Sequence, residues 1–118
     1  MKISRGALAL GVVLAASFAP LSASGEEISR CLIAVHEAIF LDGPCNFESE
    51  PDGSFTLGIA GPRQKASRYF AYVFVEGNTA TGHWNGFPPG DRAHDPLGEM
   101  TRDGACWVNE TARVCAFR

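Results

Sequence analysis

The chain has 118 residues, of which 46% are hydrophobic, and its ten basic and thirteen acidic residues give a formal charge of −3. This length leaves room for one small domain with a modest core. The acidic balance excludes nucleic acid and anionic lipid as electrostatically favourable partners.

The N-terminal segment has the pattern of a secretory signal peptide. Lys2 and Arg5 precede an apolar stretch over residues 6–19, and small residues follow at positions 23–25. The stretch is too short to span a bilayer comfortably, and no later segment is apolar enough, so we expect no transmembrane anchor in the mature chain. We therefore predict a signal peptide at 1–24 and one domain at 25–118 in the periplasm or outside the cell.

Export changes the charge of the domain. The segment from residue 25 onward keeps eight basic and all thirteen acidic residues, so its formal charge is −5. A basic partner is therefore electrostatically favoured over an acidic one.

The chain contains four cysteines, Cys31, Cys45, Cys106 and Cys115. Two disulfides are the expected arrangement in a small exported domain, because the compartment is oxidising and a small core gains from cross-links. The spacing contains no C-x-x-C pair, which argues against a zinc site. We expect neither a metal nor another cofactor.

The first predicted element, over residues 27–40, admits two interpretations. In the helical one, Ser24 and Glu27 form a capping box, and one face carries Ile28, Leu32, Val35 and Ile39. A short N-terminal helix is therefore one alternative.

The other interpretation is a β-hairpin that reverses at His36-Glu37, and we favour it because the rest of the chain is rich in strand-forming residues. It predicts that Val35 pairs with Ala38 and Leu32 with Leu41. A bulge at residues 42–44 then brings Cys31 close to Cys45, which predicts the first disulfide.

The next predicted hairpin turns at Gly77-Asn78, which suits a type II′ turn because glycine takes a positive φ at the first central position. The predicted cross-strand pairs are Glu76 with Thr79, Val75 with Ala80, Phe74 with Thr81 and Tyr72 with His83. The first of these strands is apolar on both faces, which is typical of a central strand.

Two further reversals are predicted near the C-terminus. Asp103-Gly104 indicates a type I′ turn that pairs Arg102 with Ala105, Met100 with Trp107 and Glu99 with Val108. A reversal at Glu110-Thr111 places Cys106 directly opposite Cys115, at a distance suited to the second disulfide. Together the elements predict an all-β antiparallel meander of seven or eight short strands, curled into a barrel or a sandwich.

The least regular part of the chain, residues 82–96, is the best candidate for a binding site. It is stiffened by consecutive prolines, and a stiff surface loop loses less entropy when a partner orders it. Its predicted contact residues are Trp84, Asn85, Phe87, Arg92, His94 and Asp95. The alternative for Trp84 and Phe87 is that they close the mouth of the barrel as part of the core.

Catalytic patterns are weaker than binding patterns in this sequence. Asp91, Asp95 and Glu99 are candidate carboxylates for carbohydrate chemistry, but aspartates beside Gly90 and Pro96 are typical of turns. No serine lies in a G-x-S-x-G motif. We assign no catalytic residue, and carbohydrate binding or carbohydrate chemistry is kept as an alternative function.

Two stretches resemble the periplasmic inhibitors of c-type lysozyme. They are Ser67-Arg68-Tyr69 and residues 74–81, FVEGNTAT. The resemblance covers about fifteen residues and implies a small disulfide-linked β-barrel whose Ser67 and Arg68 lie at a rim that enters the cleft of a basic enzyme.

These observations favour an exported, non-catalytic domain that binds a protein, as an inhibitor of, or adaptor for, an envelope or host protein. The alternatives are a carbohydrate-binding or carbohydrate-active protein and an assembly factor of the envelope.

Overall fold

A computed structural model describes residues 28, 30–62 and 64–118, so the predicted signal peptide lies outside the described residues. The described part is all β. Its nine strands are β1 (Arg30–Val35), β2 (Ala38–Gly43), β3 (Phe47–Ser49), β4 (Phe55–Leu57), β5 (Ala71–Glu76), β6 (Thr79–Trp84), β7 (Asp95–Asp103), β8 (Cys106–Val108) and β9 (Ala112–Phe117). The predicted all-β antiparallel class is confirmed, with one strand more than expected. No helix in this part of the chain is long and apolar enough to cross a membrane.

All nine strands belong to one antiparallel sheet with the order β2-β1-β9-β8-β7-β6-β5-β4-β3. The two edge strands, β2 and β3, are joined by residues 44–46 alone. A flat nine-stranded sheet would separate its edges by about 38 Å, whereas the link from residue 43 to 47 reaches about 15 Å at most. The sheet therefore curls into a half-barrel whose edges approach each other at one end.

The concave side of the half-barrel holds the main core. Side chains from the strands fill it, and the largest fully buried ones are Ile33, Leu57, Val73, Met100 and Val114. The Cys31–Cys45 disulfide lies in this core and ties β1 to the link between the two edges. The cross-link predicted from the first hairpin is confirmed.

The first hairpin is the strand alternative, with its turn at His36-Glu37 and Val35 opposite Ala38 as predicted. The candidate capping residues, Ser24 and Glu27, lie outside the described residues. The predicted pairing of Leu32 with Leu41 is wrong, since Leu32 lies opposite Asp42. The bulge occurs at Phe40 instead of at residues 42–44, and both Phe40 and Leu41 pack against the core as a result.

The hairpin of β5 and β6 has every predicted pair in place, including Tyr72 opposite His83. Its turn places Gly77 at a φ of 66°. The same pairing sets Ala71 opposite Trp84, so the end of β6 is held by the sheet.

The hairpin of β7 and β8 corrects the predicted register. Arg102 lies opposite Trp107 and Asp103 opposite Cys106, so the central turn residues are Gly104 and Ala105. Gly104 has a φ of 62° and takes the first central position, whereas the prediction placed Asp103 there. Glycine adopts this conformation without the steric cost that aspartate meets, which explains the shift.

The last hairpin confirms the second disulfide. Cys106 lies opposite Cys115, with a Cα–Cα distance of 4.0 Å. This cross-link belongs to a small cluster with Leu32, Val108 and Phe117, separate from the main core. The two disulfides therefore reinforce different clusters of the same sheet.

Candidate functional site

The loop that follows β6 is fastened by the buried side chain of Asn85, which is 4% exposed. Its Oδ1 accepts a hydrogen bond from the amide of Phe70 at 2.9 Å, and its Nδ2 donates to the carbonyls of Arg68 and Gly90 at 2.9 and 3.0 Å. Its own carbonyl accepts from the amide of Gly90 at 2.7 Å. These bonds close residues 85–90 into a ring and attach the ring to the segment before β5.

Trp84 lies in the core, 6% exposed, which is the alternative considered for it from the sequence. Its ring packs against Phe40, at 4.8 Å between centroids, and against Tyr69, at 5.9 Å. We define Phe40, Tyr69, Trp84 and Phe87 as the aromatic cluster. Trp84 is held rigidly inside it and presents little surface to a partner.

Phe87 is the exposed member of the aromatic cluster. It is 69% exposed, and its ring lies over Phe40 with 5.5 Å between centroids. A large apolar side chain in this position leaves most of its surface in water, which costs free energy in the unbound protein. The closed ring of residues 85–90 holds it there.

Phe87 stands beside an open cleft of about 450 Å³, which we name the mouth cleft. It is lined by Val35, His36, Ala38, Phe40, Trp84, Phe87, Asp95, Pro96, Leu97 and Thr111. The amide of His36 donates to the carbonyl of Thr111 at 2.8 Å, so the turns after β1 and after β8 meet at this end of the sheet. The mouth cleft is therefore built from four separate parts of the chain.

Asp95 is the carboxylate in the lining of the mouth cleft. It lies opposite Trp84 at the start of β7, and its carboxylate packs against Gly86, where a Cβ would collide with it. Asp95 is exposed, and its carboxylate makes no hydrogen bond or ion pair with another residue in the described part of the chain. Its charge is thus available to a ligand.

Arg92 and His94, predicted as part of the same site, lie in a different groove. This groove, of about 610 Å³, is lined by Ile59, Ala60, Ala66, Phe70, Tyr72, Asp91, Arg92, Ala93 and His94. Phe70 and Tyr72 alternate with the core residues Ala71 and Val73, so the groove lies on the convex face of the sheet. The structure therefore divides the predicted loop site between two surfaces.

Ser67 and Arg68 adjoin the aromatic cluster without lining the mouth cleft. The amide of Ser67 donates to the carbonyl of Gly58 at 2.8 Å. Arg68 is exposed, and its guanidinium lies over the ring of Tyr69 at 5.8 Å. The side chain of Arg68 is thus exposed beside the aromatic cluster, and its role as a rim residue stays a prediction.

The candidate carboxylates for catalysis are separated by the fold, since Asp91 lines the convex groove and Asp95 lines the mouth cleft. In the described residues, no three histidine, cysteine, aspartate or glutamate side chains come together in a way that could hold a metal ion. What the arrangement offers is an aromatic surface with one unpaired carboxylate, which is suited to binding.

Sequence reasoning missed Phe40, which contacts three other members of the aromatic cluster. With the predicted register, Phe40 was an ordinary strand residue far from residues 82–96. The adjacent apolar pair Phe40-Leu41 in an otherwise alternating strand was the available signal, since a bulge lets both side chains face the core.

Comparison of the chain with profiles of protein families, with curated proteins and with solved structures finds no match.

Proposed function

We propose that this chain is an exported, non-catalytic domain that binds a protein partner through Phe87 and the mouth cleft, as an inhibitor or adaptor. The observation that carries the proposal is the presentation of Phe87. Phe87 is 69% exposed, yet it belongs to a loop that two hydrogen bonds between Asn85 and Gly90 close and that further hydrogen bonds of Asn85 attach to residues 68–70.

A rigidly held exposed aromatic suits protein recognition for two reasons. Burying it in an interface releases the free energy that exposure costs, and aromatic anchors contribute much of the binding energy in protein complexes. Because the loop is already ordered, binding does not have to supply the entropy of ordering it. Both effects favour a partner with a complementary apolar surface.

Charge and compartment narrow the partner class. The segment from residue 25 carries a formal charge of −5, which favours a basic partner. The predicted signal peptide and the two disulfides support action in the periplasm or outside the cell. With the resemblance at residues 67–81, these features support a basic hydrolase such as a c-type lysozyme as the partner.

The convex face supports a second candidate function, carbohydrate binding. Tyr72 and Phe74 meet edge to face at 5.7 Å, and Phe74 is 49% exposed. The neighbouring convex groove adds the polar side chains of Asp91, Arg92 and His94. Aromatic faces beside hydrogen-bonding groups suit a sugar, and a glycan array probed with the wild type and with Tyr72→Ala would test this candidate.

Affinity capture separates the two candidates. The oxidised protein, Phe87→Ala and Phe74→Ala serve as baits against envelope and secreted proteins of the producing cell and against purified basic hydrolases. We expect wild type and Phe74→Ala to retain the same protein, which also binds directly when purified, and Phe87→Ala to lose it. Retention of no protein by any bait, with no inhibition of lysozyme, would contradict the proposal.

A further inference from the structure

The mouth cleft combines aromatic rings with an unpaired negative charge. Phe40, Trp84 and Phe87 line it together with the carboxylate of Asp95. Its lining residues include no lysine or arginine. Two other clefts differ in this respect, since the convex groove contains Arg92 and the cleft at the opposite end of the sheet contains Arg102 and Arg118. A further cleft, lined by Glu48, Glu50 and Asp52, also lacks a basic residue, but it contains no member of the aromatic cluster.

The surroundings of the mouth cleft add to its negative potential. Glu37 and Glu110 are exposed residues of the two turns that meet at this end, next to His36 and Thr111. Arg68 has its guanidinium over the ring of Tyr69, and neither residue belongs to the lining of the cleft. The rings of Phe40 and Phe87 in the cleft are therefore accessible to a cation from a ligand.

We propose that the mouth cleft binds one arginine or lysine side chain of the protein partner. The cation pairs with the carboxylate of Asp95 and lies against the rings of Phe87 and Phe40. This proposal rests on the proposed function and adds the chemistry by which the partner is recognised.

Two attractions act together in such a site. The face of an aromatic ring carries negative potential and attracts a cation, and this attraction grows when the pair is removed from water. The exposed carboxylate alone would contribute little, because water screens surface ion pairs. Docking of a partner over Phe87 excludes that water and strengthens both interactions.

The chain itself provides one example of the chemistry. The guanidinium of Arg68 lies over the ring of Tyr69, a member of the same aromatic cluster, at 5.8 Å. A second guanidinium, from a partner, would lie against the rings of Phe40 and Phe87, which line the mouth cleft. There it would meet the carboxylate of Asp95, which has no competing hydrogen bond or ion pair in the described part of the chain.

An NMR titration with N-acetyl-arginine amide tests the site without the partner. Shifts of the Trp84 indole and of the amides of Gly86 and Phe87 report binding, with a dissociation constant in the range of about 1 to 20 mM for one side chain. The matched probe is N-acetyl-citrulline amide, which keeps the shape of arginine and lacks its charge. We expect shifts at these residues with the arginine probe and none with the citrulline probe.

Two matched variants test the carboxylate. Asp95→Asn and Asp91→Asn remove the same charge from the same segment, but Asp91 lies in the convex groove. We expect Asp95→Asn to weaken binding of the arginine probe about fivefold or more, and Asp91→Asn to leave it within about twofold. Equal binding of the two probes, or equal effects of the two variants, would overturn the proposal.

The arginine-probe titration and the capture experiment can fail independently, so they test the cation site and the proposed function separately. If Phe87→Ala abolishes capture of the partner while the arginine probe causes no shifts, the mouth cleft still binds a protein and the cation site is wrong. If the arginine probe binds at Asp95 while Phe87→Ala captures the partner as well as the wild type, the proposed function of Phe87 is wrong.

Discussion

The side-chain oxygen of Asn85 accepts a hydrogen bond from the backbone amide of Phe70 at 2.9 Å, which fastens the loop after β6 to the segment that leads into β5. The amide group of the same side chain holds the carbonyls of Arg68 and Gly90. One buried residue therefore sets the position of Phe87 relative to the aromatic cluster.

Replacement of Asn85 by alanine should destabilise the protein by about 2 to 4 kcal/mol, because three partly buried hydrogen bonds, to the backbone of Arg68, Phe70 and Gly90, are lost together. Chemical denaturation measures the change. Asn85→Asp keeps the acceptor for Phe70 but loses both donors, so it should also be destabilised. The control is Asn78→Ala at an exposed turn. If Asn78→Ala lowered the free energy of unfolding as much as Asn85→Ala does, Asn85 would have no special role in holding the loop.

Gly58 and Gly104 offer a matched pair of substitutions. Both have a positive φ, 87° and 62°, but a Cβ on Gly58 would lie 2.9 Å from the carbonyl oxygen of Tyr69, while Gly104 faces open space. Alanine at Gly104 should cost about 1 kcal/mol from backbone strain, and alanine at Gly58 about 2 to 4 kcal/mol because the backbone must also shift. Equal free energies of unfolding for the two variants would show that the close approach at Gly58 is unimportant.

The two disulfides should differ in what they restrain. Cys106 and Cys115 join strands that are already hydrogen-bonded neighbours, whereas Cys31 and Cys45 tie β1 to the link between the sheet edges. Alanine at both members of either pair should cost about 3 kcal/mol from loop entropy. Loss of Cys31–Cys45 should in addition expose residues 44–54 to limited proteolysis. If residues 44–54 were cleaved only in the variant that lacks Cys106 and Cys115, the role given to Cys31–Cys45 would be wrong.

The ion pair of Arg30 and Asp42 predicts a specific dependence on pH. The hydrogen bond from the Arg30 guanidinium, at 2.6 Å, holds the pKa of the Asp42 carboxyl below its ordinary value. Because the folded pKa is lowered, the stabilisation is present above the ordinary aspartate pKa and is lost as pH falls through the folded one.

Arg30→Gln should therefore raise the Asp42 pKa toward its ordinary value in an NMR titration. The free energy of unfolding of the wild type should also fall more steeply than that of the variant from about pH 5 to about pH 2. Arg92→Gln, which removes an arginine from the loop, is the control. An unchanged Asp42 pKa in Arg30→Gln would show that the pair does not form in solution.

Local sequence patterns predicted strand register and disulfide pairing correctly where a single residue type determines a turn or a single spacing determines a cross-link. Gly77 specified the register of β5 and β6, and both disulfides followed from the positions of the turns. The register of β7 and β8 failed because Asp103-Gly104 fits two turns, and the choice depends on which position takes the positive φ.

The candidate site was less accessible to sequence reasoning. Trp84 and Phe87 look alike as loop aromatics, but one is buried and the other exposed. What separates them is the set of hydrogen bonds made by Asn85 with residues 15 and 17 positions away and the bulge that brings Phe40 beneath both rings. Such long-range contacts depend on the packed sheet and leave no local pattern.

The most direct test of the account is the dissociation constant of the captured partner for the wild type, Phe87→Ala and Phe74→Ala. Both phenylalanines are exposed, but only Phe87 belongs to the aromatic cluster at the mouth cleft. We predict that Phe87→Ala weakens binding about thirtyfold, as expected for an aromatic anchor worth about 2 kcal/mol, while Phe74→Ala stays within about twofold. An unchanged dissociation constant for Phe87→Ala, or an equal loss for Phe74→Ala, would contradict a protein-binding function of the mouth cleft.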